Sequence, residues 1–402
     1  MKKHILKNGV KLIYKKVTSS LTSICVSLDA GALRDGEKLG IAHVTEHMVY
    51  KGTKKRSEEK INKEISEIFG FSNAMTNYPY VIYYGTLLGE DLDKGMDLFS
   101  DIIINPVFNK NGFKEEMDVI LEELKEWDEE LEQYVEDKLF LNSFNERRIK
   151  YPIIGTVDSL NSIRLEDVKE FYNKMYFPSN TVISIITPLD FDEVLKTTEK
   201  YFGDWNKESD NLDNIQYELV NGNRFIENKE GIKTSKVQIV YDISNLSFKE
   251  VKALRIFNEY FGEGINSKLF DILRTKNGLV YDVLTRVCHE NGIKLYKITF
   301  STSKDKVDKA LELINKCIDE VLVLDNFNDE DIEKLKKSFK LRRLFREEQS
   351  IVLAKELSTY ETMFLDHNVY VDESEVLDDI NSKLILDTAK KVLKNSLIQI
   401  VK

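Results

Sequence analysis

Hydrophobic residues recur along the chain in two rhythms. In LTSICVSLDA, NAMTNYPYVIYYGTLLG and NTVISIIT they alternate, or run together as β-branched and aromatic residues, which predicts strands. In GIAHVTEHMVYK, SEEKINKEISEIFG, EDLDKGMDLFSDIII, FKEEMDVILEELKEW and RLEDVKEFYNKMY they return every three to four residues, which predicts helices. The same order then repeats. Strand SKVQIVYDI leads to helices KEVKALRIFNEYF and SKLFDILRTKNG, then to strands LVYDVLTRVCH and IKLYKITFSTS. Helices KVDKALELINKCIDEVL, DEDIEKLKKSFKLRRLF and ILDTAKKVLKN follow, and strand SLIQIVK closes the copy. Two such copies imply an α+β protein of two homologous domains, each a mainly antiparallel sheet packed with helices. The stretch NKESDNLDNIQYELVNGN has linker composition, so domains are expected at 1–206 and 223–402 around a linker at 207–222.

One predicted helix carries distinctive chemistry. The chain holds five histidines in 402 residues, and two stand four apart in His43-Val44-Thr45-Glu46-His47. Positions i and i+4 of a helix share a face, so both imidazoles can address one ion. Neutral imidazole is an ordinary zinc ligand, and a catalytic zinc leaves one of four positions to water. Glu46 flanks the same face, placed to take a proton from a water that the metal acidifies. The H-x-x-E-H spacing is a zinc signature, and Ile41, Val44 and Met48 give the helix a side to bury. A half-buried imidazole pair without a ligand leaves nitrogens unsatisfied, which favours a metal.

A third ligand must come from elsewhere, and FKEEMDVILEELKEWDEE is the richest source. Phe113, Met117, Ile120, Leu121 and Leu124 make an apolar stripe, with Glu116 and Glu123 two turns apart on its border. Glu123 is the expected third ligand and Glu116 the group that orients a ligand by hydrogen bonding. On spacing alone, both could equally be helix-surface acids.

The net charge of −11 argues against nucleic acid, whose phosphates an acidic chain repels. Three scattered cysteines without C-x-x-C spacing suggest reduced thiols. The basic start MKKHILKNGVKLIYKK has no apolar core of a signal peptide, and no apolar run reaches membrane-spanning length. The expected compartment is the cytoplasm, with no membrane partner. His4, His289 and His367 are isolated, and GEGIN lacks the remaining residues of a nucleotide loop.

Taken together, these motifs resemble the pitrilysin/insulinase family of zinc metallopeptidases, the inverzincins, and most closely its small-subunit branch that includes mitochondrial processing peptidase. GIAHVTEHMVYKGT is similar to the family's zinc helix, NAMTNYPYVIYY to its Asn-Ala strand, and MDVILEELKE to the helix bearing its third ligand. GTVDSLNSI and KYFGDW match further landmarks. The resemblance implies one zinc per chain on His43, His47 and Glu123, with Glu46 as general base and Glu116 supporting the ligands. It implies an exposed edge strand at Asn73-Ala74 on which a peptide lies as an added strand. It also implies that Arg274 and Tyr281, in SKLFDILRTKNGLVYDV, contact the peptide near the scissile bond. Complete family enzymes close four such domains into a chamber, so two domains imply a dimer. Because this chain carries both the zinc motif and the Arg/Tyr pair, a homodimer is expected. The competing expectations are the catalytic half of an obligate heterodimer and a non-catalytic structural subunit.

Overall fold

The computed structural model describes residues 1–207, 217–218, 222–323 and 328–402, so most of the expected linker lies outside the described residues. Its strands form two sheets. The first contains β1 (Lys2–Ile5), β2 (Lys11–Lys16), β3 (Leu21–Leu28), β4 (Phe69–Thr76), β5 (Val81–Leu88) and β6 (Thr181–Thr187), in the order β1-β2-β6-β3-β5-β4. The second contains β7 (Asn223–Glu227), β8 (Ser235–Asp242), β9 (Val280–Glu290), β10 (Ile293–Thr302) and β11 (Leu397–Val401), in the order β7-β11-β8-β10-β9. Without β1 the two orders correspond strand for strand. In each, the second strand pairs parallel with the first while the remaining neighbours are antiparallel. The repeat read from hydrophobic patterning is therefore a repeat of topology.

The first repeat carries α1 (Ile41–Val49), α2 (Glu58–Ile68), α3 (Leu92–Ile104), α4 (Lys110–Glu129), α5 (Leu131–Ser143), α6 (Val157–Ser162), α7 (Leu165–Met175) and α8 (Phe191–Phe202). The second carries α9 (Phe248–Phe261), α10 (Lys268–Phe270), α11 (Val307–Val321), α12 (Asp329–Glu347), α13 (Ser350–Phe364), α14 (Asn368–Glu375) and α15 (Ser382–Val392). α1 packs on α7 and β4, and α9 packs on α15 and β9, so α1 and α9 hold the same place in their repeats.

The compact units are not continuous in sequence. One gathers the described residues of Met1–Lys125, Pro152–Ile215 and Arg346–Tyr370; the other gathers those of Glu126–Tyr151, Gln216–Phe345 and Val371–Lys402. A single cut at 207–222 does not separate them, because each unit includes one helix from the other half of the chain. In the first unit α13 lies on β3 and β6. Ser23, Cys25 and Ser27, alternate residues on one face of β3, meet its hydroxyls: Ser350 at 2.8 Å, Ser358 at 3.1 Å and Thr362 at 2.9 Å. In the second unit α5 lies on β8 and β11. Its Glu136 accepts from Lys297 Nζ at 2.6 Å and from Gln238 Nε2 at 2.7 Å.

Candidate metal centre

α1 begins at Gly40, whose φ of +90° places it in the left-handed region. A Cβ there would sit 2.4 Å from the Ile154 carbonyl oxygen, so the position requires glycine. The Asp35 carboxylate accepts from the Gly40 and Ala42 amides at 2.7 and 3.0 Å, satisfying donors that a helix start leaves open. Ile41, Val44 and Met48 are buried, as the pattern predicted, and on the opposite face His43 and Glu46 are buried too, with His47 partly so.

The two histidines present the same atom to each other. His43 Nε2 and His47 Nε2 are 3.3 Å apart. Glu123, arriving from α4, places Oε1 3.7 Å from the first and Oε2 3.7 Å from the second. Among the described residues these three form the one group of metal-type donors lying within 4.8 Å of one another. A tetrahedral zinc with bonds of about 2.0–2.2 Å has donor-to-donor edges of roughly 3.3–3.6 Å, which the imidazole pair matches and which a small shift of the Glu123 carboxylate would complete.

The protonation pattern agrees. His47 Nδ1 donates to Glu116 Oε1 at 2.7 Å, which leaves a lone pair at Nε2 in the neutral ring. Burial opposes charge on His47, but the Glu116 bond and the Glu46 and Glu123 carboxylates outweigh it and raise its pKa. A cation between the rings suits that field. Burial, with His47 beside it, pushes His43 down to about 3, so His43 is a neutral imidazole. Its Nδ1, on the far side of the ring from the Nε2 that faces His47, is buried with no hydrogen-bond partner among the described residues.

Glu46 lies beneath the same face, 8% exposed. Thr76 Oγ1 donates to its Oε2 at 2.5 Å, and burial raises its pKa despite that bond. Glu116 is held from two sides, by His47 on Oε1 and by Lys51 Nζ on Oε2 at 2.6 Å. Burial works against its charge, but these two partners hold the carboxyl below its ordinary pKa. Thr76 and Lys51 escaped the sequence reading. Lys51 follows His47 by four residues and could have been found by helical spacing; Thr76 depends on how the sheet meets α1.

Asn73 and Ala74 stand on β4, the last strand in the order of the first sheet, so its outer edge has no described strand beside it. Pro79 falls between β4 and β5, where no ladder bond is needed. Arg274 and Tyr281 come together in the second unit. The Arg274 guanidinium lies 4.5 Å over the Tyr281 ring, and Nη1 donates to the Tyr281 carbonyl. Tyr281 is the second residue of β9, the edge strand of the second sheet, with 80% of its surface exposed. Among the described residues no helix is long and apolar enough to cross a membrane, and Cys25, Cys288 and Cys317 are buried free thiols.

Comparison with known proteins places these features. Residues 11–157 match the family described as insulinase (peptidase family M16), and residues 162–339 match the peptidase M16 inactive domain. The chain is 25% identical over 392 residues to an uncharacterized zinc protease of Rickettsia felis, covering 97% of this chain and 94% of that protein. It is 31% identical over 201 residues to the mitochondrial-processing peptidase subunit beta of Saccharomyces cerevisiae, covering 49% of this chain and 43% of that one. The solved structure of a protease from Helicobacter pylori shares the fold, with a TM-score of 0.91, 20% identity and coverage of 100% and 99%. With both successive family domains matched along its length, this chain belongs to the insulinase family of peptidases, peptidase family M16, and is zinc-protease-like.

Proposed function

We propose that the protein is a zinc endopeptidase that cleaves short or unfolded peptides, with His43, His47 and Glu123 holding one zinc ion per chain. The observation that carries this reading is the 3.3 Å spacing of two imidazole nitrogens, each 3.7 Å from one oxygen of Glu123, beside a buried carboxylate. Zinc bound there supplies Lewis acidity, polarising a carbonyl and lowering the pKa of a water. Glu46 takes the proton of the attacking water and delivers it to the leaving amine. Thr76 occupies Oε2 of Glu46, which leaves Oε1 for the transfer. Glu116 holds the His47 ring so that Nε2 faces the ion.

A peptide adds to the outer edge of β4 at Asn73-Ala74, its backbone satisfying the open ladder and its side chains giving preference. Arg274 and Tyr281 donate toward a substrate carbonyl or its developing oxyanion. In our reading the chain works as a cytoplasmic homodimer with a closed chamber, each zinc centre using the Arg274 and Tyr281 pair of the other subunit. The free cysteines suit a reducing compartment. The inactive-domain match gives some weight to a non-catalytic role, but it covers 162–339 and leaves the whole H-x-x-E-H motif outside it.

The test is hydrolysis of a mixed pool of unstructured peptides, read by mass spectrometry, for wild type and Glu46→Gln at equal zinc content. Wild type should cut internal bonds, and the variant should be slower by at least about 100-fold. Equal rates would remove Glu46 from the mechanism. Zinc-loaded protein with no activity would point to a missing partner chain, and protein that takes up no zinc would favour the structural-subunit reading.

A further inference from the structure

We infer that Lys51 is a positioning residue for the metal centre, fixing the third-ligand helix against the histidine helix; this rests on the zinc reading above. Three ligand atoms aimed at one point require α1 and α4 to meet in a single register. His43 and His47 belong to α1, whereas Glu123 belongs to α4, two turns beyond Glu116. Lys51, just past the end of α1, grips α4 in two places. Its ammonium lies 2.6 Å from Glu116 Oε2. Its carbonyl accepts from Asn109 Nδ2 at 3.0 Å, and the same Asn109 side chain accepts from the Gly112 amide at 2.6 Å in the first turn of α4. Side chain and backbone of one residue thus hold α4 at its start and at Glu116.

The side chain is only 13% exposed and also meets Glu58 Oε1 at 2.7 Å, at the start of α2. Lys51 therefore sits in an alternating row running His47, Glu116, Lys51, Glu58, from the imidazole to the exposed start of α2. Neutralising the ammonium leaves Glu116 with His47 as its remaining partner among these contacts. A buried carboxylate deprived of its cation is free to turn toward water, which loosens its hold on the His47 ring. Lys51 borders an open cleft of 540 Å³ shared with Lys54, Lys55 and Arg56, so charge alone does not single it out; its two contacts with α4 do.

The experiment compares zinc affinity, by chelator competition, in wild type, Lys51→Met, Lys51→Arg and Lys54→Met. Melting temperatures of the metal-free proteins and visible spectra of their cobalt forms accompany it. Lys54 is exposed in the same cleft and controls for loss of a charge. Lys51→Met should bind zinc about 10- to 100-fold more weakly and change the cobalt spectrum, with its metal-free melting temperature held. Lys51→Arg should recover most of the affinity, and Lys54→Met should match wild type. Unchanged affinity in Lys51→Met overturns the assignment. So does a loss of affinity that comes only with a collapse of the metal-free protein, in Lys51→Met and Lys51→Arg alike. Wild type that binds no zinc removes the metal reading itself, a different failure from a zinc-loaded wild type beside an unaffected Lys51→Met.

Discussion

Each repeat sets polar side chains from the region of its α1 or α9 helix against those of a later helix, and the two clusters carry opposite chemistry. In the first, α1 offers His43 and His47, and α4 answers with Glu116 and Glu123. In the second, Glu259 on α9 and Glu263 just past its end meet Ser338 and Arg342 on α12. Arg342 Nε is 3.2 Å from Glu259 Oε2 and Nη1 is 3.3 Å from Glu263 Oε1, while Ser338 Oγ donates to Glu259 at 2.8 Å. Gly264, at φ +80°, lets the guanidinium pack where a Cβ would come within 2.8 Å of Nη2. The second repeat therefore carries its cation in the chain. The first ends in two imidazole nitrogens and a carboxylate, the set that in our reading an ion from outside completes. Repeated topology therefore leaves the chemistry open, and the side chains each repeat carries decide it.

The contrast can be broken most decisively at the proposed metal site. Chelation should remove the stabilisation that bound zinc gives the native state, about 2.7 kcal/mol when free zinc is 100 times its dissociation constant. His47→Ala should abolish both peptide hydrolysis and the response of the melting temperature to EDTA. A chelator response that survives in this variant would place the ion elsewhere.

Arg342→Met tests the other repeat. It leaves Glu259, with a side chain 5% exposed, without its guanidinium, and should cost about 1–3 kcal/mol, read as a lower melting temperature. Zinc content and peptide hydrolysis should stay at wild-type levels. A fall in zinc content would show that the two clusters are coupled.

A subtler test uses pH and the exchanged helix α5. Asp137 accepts from Trp127 Nε1 at 2.8 Å and Gln133 Nε2 at 3.0 Å, yet burial raises its pKa to about 6. Between the ordinary aspartate value and 6, the folded chain keeps a proton that the unfolded chain has already released. Asp137 thus turns against folding as pH rises through that window, by about 3 kcal/mol once the shift is complete. Asp137→Asn does not titrate, so its melting temperature relative to wild type should improve from pH 4.5 to pH 7.5. A difference that stays flat across that range would refute the shift.

Much of this was legible in one dimension. Alternation and three-to-four spacing mark sheets and amphipathic helices wherever one face is buried against apolar neighbours, which holds for α1, α4, α7, α9 and α11. His43, Glu46 and His47 are legible because helical geometry fixes what i, i+3 and i+4 can share. α5 and α13 left no comparable trace. Each buries polar groups whose partners are distant in the chain: Glu136 meets Lys297, 161 residues away, and Glu361, with its side chain fully buried, meets Lys3, 358 residues away. A carboxylate satisfied by so remote a partner looks, in sequence, like an exposed one.

The sequence by itself thus determined the repeat, the H-x-x-E-H helix and the acids flanking the α4 stripe, because each is a local periodicity. Tertiary structure decided which helix joins which sheet, that β4 is an edge and that Glu123 comes within 3.7 Å of both histidines. It also decided that Thr76 meets Glu46 and that Lys51 meets Glu116. Those choices depend on burial and partner distances between segments far apart in the chain, which no window of neighbouring residues contains.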